Sequence, residues 1–466
     1  MKKLILILIT VVMVLSGCGE DNTTGVTPET IVNPKTDSLE EVPSPAEEPS
    51  REAYVQPEMK GEISISLLDE ASFITAGAEL FMKKYPDIKI NINVFRELKT
   101  IQLEGGAEMS ADPEEGFTTD NYLTYLSTQI MSGKADDIIL TSMLSMRDYI
   151  KMGAFEDLSY YLESTPEINE ENYYMNVIEA FRKYGGLYEM PLSFGMQVIY
   201  FDKQLVEASG IAPDKELKSI RYSEAMELAK QMVDVTDLPN TYLEIGTGKS
   251  ESMLIMEDIY QFINMETEQF DFNIPAFTNI LKQTKSLRQN GYYDTGTIDF
   301  YNMEYHFGFG TDFDSQAAIF SLLPDSSYSN AMPQCDANGD VLFYAYYTFG
   351  INSNSENKEI AWEFIKFLLS EEAQVNPSMF NIGINKAALE PMAQRQMGTK
   401  TIELGFTLQD CVALLESWAE QANATYIDSD ISNIIYEEID RYYSGSVTEE
   451  EIAKAINNKI DKCLNE

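Results

Sequence analysis

The sequence predicts an α/β fold in two lobes, each a parallel sheet flanked by helices. Ile63 to Leu68 is an apolar run typical of a buried strand, and Glu70 to Lys84 carries apolar residues at helical spacing. Ile88 to Val94 then alternates apolar and polar residues, as a half-buried strand does. This strand–helix–strand order favours a parallel pair joined by a crossover helix. The roughly 400 residues that follow position 60 are enough for two lobes with a core each.

The later segments continue the mixed pattern. The spacing predicts helices over 121–131, 223–233 and 359–369, and strands over 137–140, 198–201 and 342–351. The last predicted helix opens with Thr448 and Glu451 at capping-box spacing. Its apolar face then carries Ile452, Ile456, Ile460 and Leu464. Residues 240–345 are rich in aromatic residues and turn signals, and their pattern predicts no clear elements.

The first residues predict export. Lys2 and Lys3 precede an apolar run from Leu4 to Leu15, which is typical of a secretory signal and too short to span a bilayer. Leu15-Ser16-Gly17-Cys18 resembles the lipobox of bacterial lipoproteins. The resemblance implies that residues 1–17 are removed and that Cys18 carries lipid, on the extracytoplasmic face of the cell membrane. Two or more acyl chains are then needed for stable anchoring. The alternative is an ordinary signal with an incidental cysteine.

Residues 18–60 are expected to form a disordered acidic tether. Positions 19–60 contain six prolines and ten acidic residues, with few apolar side chains. Such a segment cannot bury enough apolar surface to offset the entropy lost on ordering. We therefore interpret it as a spacer between the membrane and the folded body, which begins at Gly61. A mere processing remnant is the alternative.

Composition argues against several classes of function. The formal net charge is −43 at pH 7, which argues against binding to nucleic acid and to anionic lipid headgroups. His306 is the single histidine, so a His-based catalytic triad or a multi-His metal site is not expected. We predict no cofactor and no metal. Cys335, Cys411 and Cys463 are three in number, so at least one thiol lacks a partner within the chain, and Cys463 is expected to be buried and inert.

Several segments, taken in order, are similar to a known family. Met131 to Ile138 resembles a small-residue stretch that ends in Asp before a strand, and Gly153 to Leu158 resembles Gly-x-Leu-x-Asp-Leu. The remaining resemblances are Gly186 to Pro191 (Gly-x-x-Tyr-x-x-Pro), Tyr200 to Lys203 (Tyr-Tyr-Asn-Lys), Asn352 to Gln374 (a turn and an Ala-Trp-x-Phe helix) and Gly383 to Lys386, which lacks the family's proline. In this order they resemble the extracellular solute-binding proteins (family 1) of ABC importers, which are mostly sugar binders.

The resemblance implies a periplasmic-binding-protein-like fold of type II, with two discontinuous lobes that close on a ligand. The first lobe would hold residues 61–192 and 347–402, and the second 193–346 and 403–466. Hinge closure is expected about 193–195 and 346–350, with the ligand shifting an open–closed equilibrium. The implied protein is a monomer that captures a carbohydrate, expected to be an oligosaccharide, and delivers it to a membrane permease.

Candidate ligand-binding residues follow the carboxyl ends of predicted strands and the two crossings, because ligands of open α/β sheets bind there. They are Asp69, Glu70, Ser72, Phe73, Thr141, Ser142, Met143, Phe194, Gly195, Gln197, Tyr346 and Tyr347, with Ser193 and Tyr344 beside them. The family resemblance adds Leu323, Asp325, Tyr426 and Asp428. Sugars need flat aromatic faces and side chains that hydrogen-bond hydroxyl groups, and this set supplies both.

Each of these assignments has an alternative. Asp69 or Ser72 could instead cap the first helix. Ser193 and Gly195 could serve only to let the chain bend. The tyrosine run at 344–347 alternates between faces of its strand, so about half of it should be core. A cluster of Phe300, Tyr301, Tyr305 and Phe307 could be a stacking wall or core. The family often stacks a tryptophan on the sugar where this chain has Leu322-Leu323-Pro324. Trp362 and Trp418 lie in predicted helices and are expected to be core.

Two other functions remain open. With 76 acidic residues, some carboxylate pair will always fit the spacing of a glycosidase, so that signal has no weight alone. Asp336-x-Asn338-x-Asp340 begins like a calcium loop, but Val341 stands where glycine is needed, and a turn at Asn338-Gly339 explains it better. A lipoprotein sensor for a membrane kinase, or a binder of a non-sugar solute, would have the same sequence features. We expect a binding protein, not an enzyme.

Overall fold

A computed structural model describes most of the chain beyond residue 53. The described residues are 54–96, 99–102, 108–111, 119–214, 217–236, 241–242, 244–245, 254–264, 269–290, 293–294, 306–307, 309–312, 328–379, 381–397, 407–425 and 429–465. Cys18 and the predicted tether up to residue 53 lie outside them. The prediction that the tether runs to residue 60 is wrong for its last part, because Tyr54 and Met59 pack against the first lobe and the Tyr54 hydroxyl donates to Glu363 Oε1 at 2.8 Å. None of the described helices combines the length and the apolar character needed to cross a membrane.

The helices fall at most of the places that apolar spacing predicts. They are α1 (Ser72–Lys84), α2 (Thr119–Met131), α3 (Met146–Lys151), α4 (Ser159–Glu163), α5 (Met175–Glu179), α6 (Lys203–Ser209), α7 (Tyr222–Asp234), α8 (Ile259–Phe262), α9 (Pro275–Gln289), α10 (Lys358–Leu368), α11 (Glu371–Gln374), α12 (Leu389–Met397), α13 (Leu408–Ala419), α14 (Ser429–Tyr443) and α15 (Glu449–Asn465), with a 3₁₀ turn at Lys386–Ala388. The predicted capping box is confirmed, since the Thr448 amide donates to Glu451 Oε2 and the Glu451 amide to Thr448 Oγ1.

The strands include each of those predicted. They are β1 (Gly61–Asp69), β2 (Ile88–Arg96), β3 (Lys99–Gln102), β4 (Glu108–Ala111), β5 (Ile138–Leu140), β6 (Arg182–Lys183), β7 (Gly186–Leu187), β8 (Met190–Met196), β9 (Val198–Asp202), β10 (Ile220–Arg221), β11 (Thr241–Tyr242), β12 (Glu244–Ile245), β13 (Ile263–Asn264), β14 (Gln269–Phe270), β15 (Tyr293–Asp294), β16 (His306–Phe307), β17 (Phe309–Asp312), β18 (Tyr328–Cys335), β19 (Val341–Ile351), β20 (Ile382–Gly383) and β21 (Ala422–Thr425).

Among the described residues, the main sheet runs in the order β17-β9-β18-β19-β5-β1-β2. β1 pairs in parallel with β2 and with β5, so the predicted parallel start is confirmed. β19 then runs antiparallel to β5 and to β8, while β18 runs antiparallel to β9. The long strand β19 thus joins the parallel part of the sheet to the strands of the other half.

Two hydrophobic cores define two lobes. The first forms around β1, α1 and α10, where Trp362 and Phe364 are fully buried and the Phe81 and Phe364 rings meet edge to face at 5.2 Å. A satellite cluster with Tyr122 and Phe155 packs on the same lobe. The second core gathers α7, α9, α14 and α15 around β9 and is rich in phenylalanine and isoleucine. Trp362 and Trp418 both belong to the first core, as the sequence predicts.

The lobe boundary near residue 403 differs from the prediction. Cys411, Leu415 and Trp418 of α13 lie in the first core, although residues 403–466 were expected in the second lobe. The Asn176 side chain explains part of this, because its amide donates to the carbonyls of Ala419 and Ala422 at 2.8 and 2.7 Å. The second lobe therefore takes its last contribution from α14 and α15.

The chain crosses between the two cores at three places. Val198 packs in the first core and Ile199 in the second, Met332 packs in the second and Phe343 in the first, and a third crossing lies between β21 and α14. The predicted crossings at 193–195 and 346–350 therefore fall within the first core, and the hinge motion itself stays a prediction. Phe194 and Phe349 both pack inside the first lobe, so those residues belong to its strands.

Candidate ligand-binding cleft

A cavity of about 910 Å³ opens where the first lobe meets residues of the second. Its walls combine aromatic rings with hydroxyl, amide and charged groups. The lining residues are Thr141, Ser142, Leu144, Met146, Arg147, Ile150, Phe181, Arg182, Lys183, Tyr184, Gly185, Gly186, Tyr188, Glu189, Tyr260, Phe343, Tyr344, Ala345, Thr348 and Thr425. This volume lies at the upper end of the roughly 300–1,000 Å³ found for small-molecule pockets.

The wall nearest the sheet is formed where β5 ends against β19. Thr141 follows β5 and is 1 % exposed, and its hydroxyl donates to Thr348 Oγ1 at 2.8 Å. The Thr141 amide also donates to the Thr348 carbonyl at 2.8 Å. These bonds fix the chain that carries the exposed Ser142 hydroxyl into the cavity.

A short hairpin, β6–β7, forms a second wall. The Asp157 carboxylate accepts hydrogen bonds from the Leu187 and Ser159 amides at 3.0 and 2.9 Å. Burial alone would raise the pKa of Asp157, but hydrogen bonds from the Ser159 hydroxyl and from these two amides, together with the charge of Arg182, lower it below its ordinary value. Gly186 allows this approach, because a Cβ there would lie 2.9 Å from Asp157 Cγ and 2.8 Å from the Tyr188 ring. The turn residue Tyr184 has φ 54°, a left-handed conformation that aromatic residues rarely adopt.

The second lobe contributes Tyr260 on α8. Its side chain is 53 % exposed, and burial of the hydroxyl together with the charges of Asp336 and Asp340 raises its pKa above the ordinary value. Asp336 itself is buried in a turn, where its Oδ1 accepts from the amides of Asn338 and Asp340 at 2.8 and 2.9 Å. Gly339 has φ 89°, so the turn interpretation of this segment is confirmed.

The charged groups of the lining each have partners. Arg147 binds Asp148, Arg182 binds Glu179 through Nε–Oε2 at 2.6 Å, and the Lys183 ammonium donates to Thr425 Oγ1 at 2.8 Å. Glu189 supplies the single carboxylate among the described lining residues. The lining therefore carries more positive than negative groups, although the chain as a whole is strongly acidic.

Some of the predicted ligand residues meet at this cavity. Thr141 and Ser142 line it together with Tyr344, and Met143 is exposed directly after them. Asp69 lies at the end of β1, where Arg96 holds its carboxylate through two bonds of 2.6 Å. Asp69 therefore does not cap α1, whose N-cap is Ala71 without a side-chain bond. Glu70 and Ser72 are exposed beside it.

Other predicted ligand residues are core residues in this structure. Phe73 is 2 % exposed in the first core, and Phe194 is fully buried there with its ring edge-on to Tyr174 at 5.6 Å. Gly195 is buried opposite Tyr344 in the β8–β19 pair, so it contributes strand backbone. Gln197 is fully buried at the first crossing. The strand-end rule selected these positions without distinguishing the two faces of each strand.

The tyrosine run on β19 does not alternate fully between core and solvent. Tyr344, Tyr346 and Tyr347 are all partly exposed, and Tyr347 packs against the first core. The φ of Tyr347 is 54°, which interrupts the regular alternation of the strand. The candidates Leu323, Asp325, Tyr426 and Asp428 lie outside the described residues, as do Phe300, Tyr301 and Tyr305. Phe307 lies on the short strand β16.

Sequence reasoning missed Arg147, the β6–β7 hairpin, Tyr260 and Thr425. The segment from Gly186 to Pro191 resembles a motif of the family, and Tyr188 within it could have been predicted as a site residue on that basis. Tyr260 had no such signal, because its short helix lies in the region that predicts no clear elements.

The thiols and the metal-binding side chains add no further site. Cys335 and Cys411 are buried free thiols, and burial raises the pKa of Cys411 to about 11. Cys463 is only partly buried, so the expectation of a fully buried thiol there is wrong. Within the described part of the chain, no group of three or more His, Cys, Asp or Glu side chains is placed to hold a metal ion.

Comparison with known proteins decides the family. A profile of the bacterial extracellular solute-binding proteins matches residues 112–390, more than half of the chain. The chain belongs to this family. The matched region of this solute-binding protein contains both sides of the cavity described above, including Thr141, Tyr188, Tyr260 and Tyr344. A search of curated protein sequences finds no match.

Solved structures give the same fold. The sugar-binding protein MalE from Xanthomonas citri is 13 % identical over 86 % of this chain and 97 % of its own, with a TM-score of 0.61. A substrate-binding protein from Listeria monocytogenes, solved with cycloalternan, is 18 % identical over 87 % and 99 %, with a TM-score of 0.55. A chitin oligosaccharide binding protein is 14 % identical over 87 % and 99 %, also at 0.55. At these identities the likeness establishes the two-lobed fold of the solute-binding protein.

Proposed function

We propose that this solute-binding protein captures an oligosaccharide in the cavity between its lobes and delivers it to the permease of an ABC importer. The observation that carries the proposal is the composition of the cavity. Tyr184, Tyr188, Tyr260 and Tyr344 offer aromatic faces, while Thr141 and Ser142 lie among them as polar groups. Aromatic rings cover the C–H faces of sugar rings, and the polar groups fix their hydroxyls.

The dimensions of the cavity and its fold relatives support an oligosaccharide over a smaller solute. A volume of about 910 Å³ is large for a single small ligand. Proteins of the same fold include binders of cycloalternan and of chitin oligosaccharides.

We further propose that lipid on Cys18 anchors the protein on the extracytoplasmic face of the cell membrane. The support is the leader and Leu15-Ser16-Gly17-Cys18. The Pro- and acid-rich residues 18–53 would act as an extended tether. Such a tether keeps a capture protein at high local concentration near its membrane partner. The protein would act as a monomer without a cofactor.

We assign no catalytic step to the cavity. Glycoside hydrolysis uses a pair of carboxyl groups about 5–10 Å apart. The described lining residues supply one carboxylate, Glu189, in a set dominated by tyrosine and threonine. A lining of this kind suits capture of a ligand between the lobes. The lobes would close about the crossings at Gln197–Ile199 and Met332–Phe343, and the ligand would favour the closed form.

A thermal-shift panel tests the proposed ligand class. The protein without its leader is heated with malto-, chito- and xylo-oligosaccharides, with single sugars and with short peptides. A ligand that binds the folded state raises the melting midpoint by an amount that grows with its concentration. We expect an oligosaccharide to raise the midpoint, and its monosaccharide to do so less. A rise with peptides and with no sugar would overturn the carbohydrate assignment.

A further inference from the structure

Arg147 connects the two sides of the cleft. It lies on α3, lines the cavity and is nevertheless only 4 % exposed. Its Nη2 donates to the carbonyl oxygen of Cys463 at 2.7 Å. Cys463 belongs to the last turn of α15, and the two residues are 316 positions apart.

The contact crosses from one lobe to the other. Met146, the neighbour of Arg147 on α3, packs in the satellite cluster of the first lobe with Ile139 and Phe155. Ile456, Ile460 and Leu464 of α15 pack in the core of the second lobe. A hydrogen bond between Arg147 and the α15 backbone can therefore form only while the two lobes are together.

The chemistry of the contact favours a firm bond. The last carbonyl groups of a helix lack partners within the helix and carry the negative end of its dipole. A guanidinium group is a good partner for them, because charge-assisted hydrogen bonds are stronger than neutral ones. The low exposure of Arg147 further reduces competition from water.

Asp148 fixes the guanidinium in this orientation. Its carboxylate accepts from Arg147 Nε at 2.9 Å and from Nη2 at 3.3 Å, while the Asp148 side chain itself is about half exposed. Asp148 lies on the same helix as Arg147, so this pair does not depend on the position of the second lobe. The arginine is thus held ready for the α15 carbonyl before the lobes meet.

We propose that Arg147 is a positioning residue that latches the last turn of α15 to the first lobe. It thereby favours a closed form, in which the two lobes make this contact, over an open form in which they do not. The inference rests on the proposed hinge motion and is independent of which solute binds. Arg147 then sets the equilibrium between the open and closed forms of the ligand-free protein. The ligand shifts this equilibrium further through its own contacts.

Small-angle scattering of the ligand-free, leaderless protein tests the latch. We expect Arg147→Gln to raise the ratio of open to closed molecules about tenfold, equal to about 1.4 kcal/mol. This increase appears as a larger radius of gyration. Arg147→Lys, which keeps the charge and one donor, should give a smaller increase. Lys151→Gln makes the same charge change on the same helix and should leave the profile unchanged.

Hydrogen exchange in the same variants separates the latch from loss of fold. Exchange of core amides at Ile139 and Ile456 should match the wild type, because neither lobe core includes the Arg147 guanidinium. If Arg147→Gln does not fold, Arg147→Lys carries the test. A wild-type scattering profile in the folded arginine variants, or the same expansion in Lys151→Gln, would overturn the latch. If the proposed solute capture were wrong, no added compound would change the scattering profile of any of these proteins. The comparison of the ligand-free variants with the wild type would still test the latch.

Discussion

Two buried polar pairs lie in or beside the strands that neighbour β19, and they differ in how many of their polar groups have hydrogen-bond partners. Thr141 and Thr348, 1 % and 2 % exposed, share a hydroxyl–hydroxyl bond of 2.8 Å and a backbone bond of the same length. Gln197 and Gln334 are both 0 % exposed and are joined by a 2.8 Å backbone bond from the Gln334 amide to the Gln197 carbonyl. Neither side-chain amide of this second pair has a hydrogen-bond partner among the described residues.

The difference follows the architecture. The threonine pair lies within the first lobe, next to Leu140 and Phe349, which oppose each other in the β5–β19 pair and belong to one core. The glutamine pair lies at the crossings, because Val198 opposes Pro333 and Ile199 opposes Met332 in the β9–β18 ladder. A buried polar group without a partner is costly. A rearrangement of the lobes at the crossings would therefore be favoured if it supplied hydrogen-bond partners to the glutamine side-chain amides.

The largest expected effect concerns the threonine pair. Thr348→Val removes the partner of a buried hydroxyl and should lower the free energy of unfolding by about 1–3 kcal/mol, measured by urea denaturation. Thr141→Val with Thr348→Val removes both hydroxyls and should recover most of that loss. Additive losses in the double variant would show that the pair is not a coupled unit.

The glutamine pair should respond in the opposite direction. Gln197→Met with Gln334→Met keeps the side-chain length and removes the unpartnered amides, so the free energy of unfolding should rise by about 1 kcal/mol. Urea denaturation of the double variant beside the wild type measures this. A fall of similar size would mean that ordered water satisfies the amides, and that the contrast between the two pairs does not hold.

Substitutions of Tyr347, next to Thr348, test whether the backbone beside the threonine pair is strained. Its φ of 54° costs a non-glycine residue energy that glycine does not lose. Tyr347→Gly should therefore be more stable than Tyr347→Ala by about 1 kcal/mol, although both lose the ring. The matched pair at Tyr346, whose φ is not left-handed, should show the usual order with alanine more stable. Equal stability of the two Tyr347 variants would contradict the strain.

The smallest effect is the response to pH. Neither polar pair titrates, so the differences made by their variants should be the same at pH 6 and pH 3. Asp157 has a pKa lowered on folding, so its contribution is present above pH ~4 and is lost as the pH falls through the folded pKa. Asp157→Asn should thus lower the urea midpoint at pH 6 and lower it less at pH 3. The same difference in urea midpoint at both pH values would show that the Asp157 carboxylate does not stabilise the β6–β7 hairpin through its charge.

Local patterns were sufficient to predict much of the fold. The spacing of Phe73, Gly77 and Phe81 predicts α1, the alternation from Ile88 predicts β2, and Thr448 with Glu451 predicts the start of α15. The positions of the crossings could not be predicted, since they depend on which core each strand residue enters. Phe194 and Ile199 are similar apolar residues in sequence, yet they pack in different lobes.

The site was less predictable for the same reason. Thr141 and Ser142 follow a buried strand and could be assigned from the strand-end rule. Arg147 could not, because its partner is a backbone carbonyl 316 positions away that no sequence pattern marks. Tyr260 enters the cavity from a four-residue helix whose position is set by the second core.

An oligosaccharide is expected to bind between Tyr260 and the first lobe, and isothermal titration tests this most directly. The oligosaccharide that most raises the melting midpoint is titrated into the wild type, into Tyr260→Ala and into Tyr436→Ala, a second exposed tyrosine of the same lobe on α14. We predict that Tyr260→Ala raises Kd at least ~tenfold, because stacking contacts are lost, and that Tyr436→Ala leaves it unchanged. Equal affinity of all three proteins would contradict this expectation.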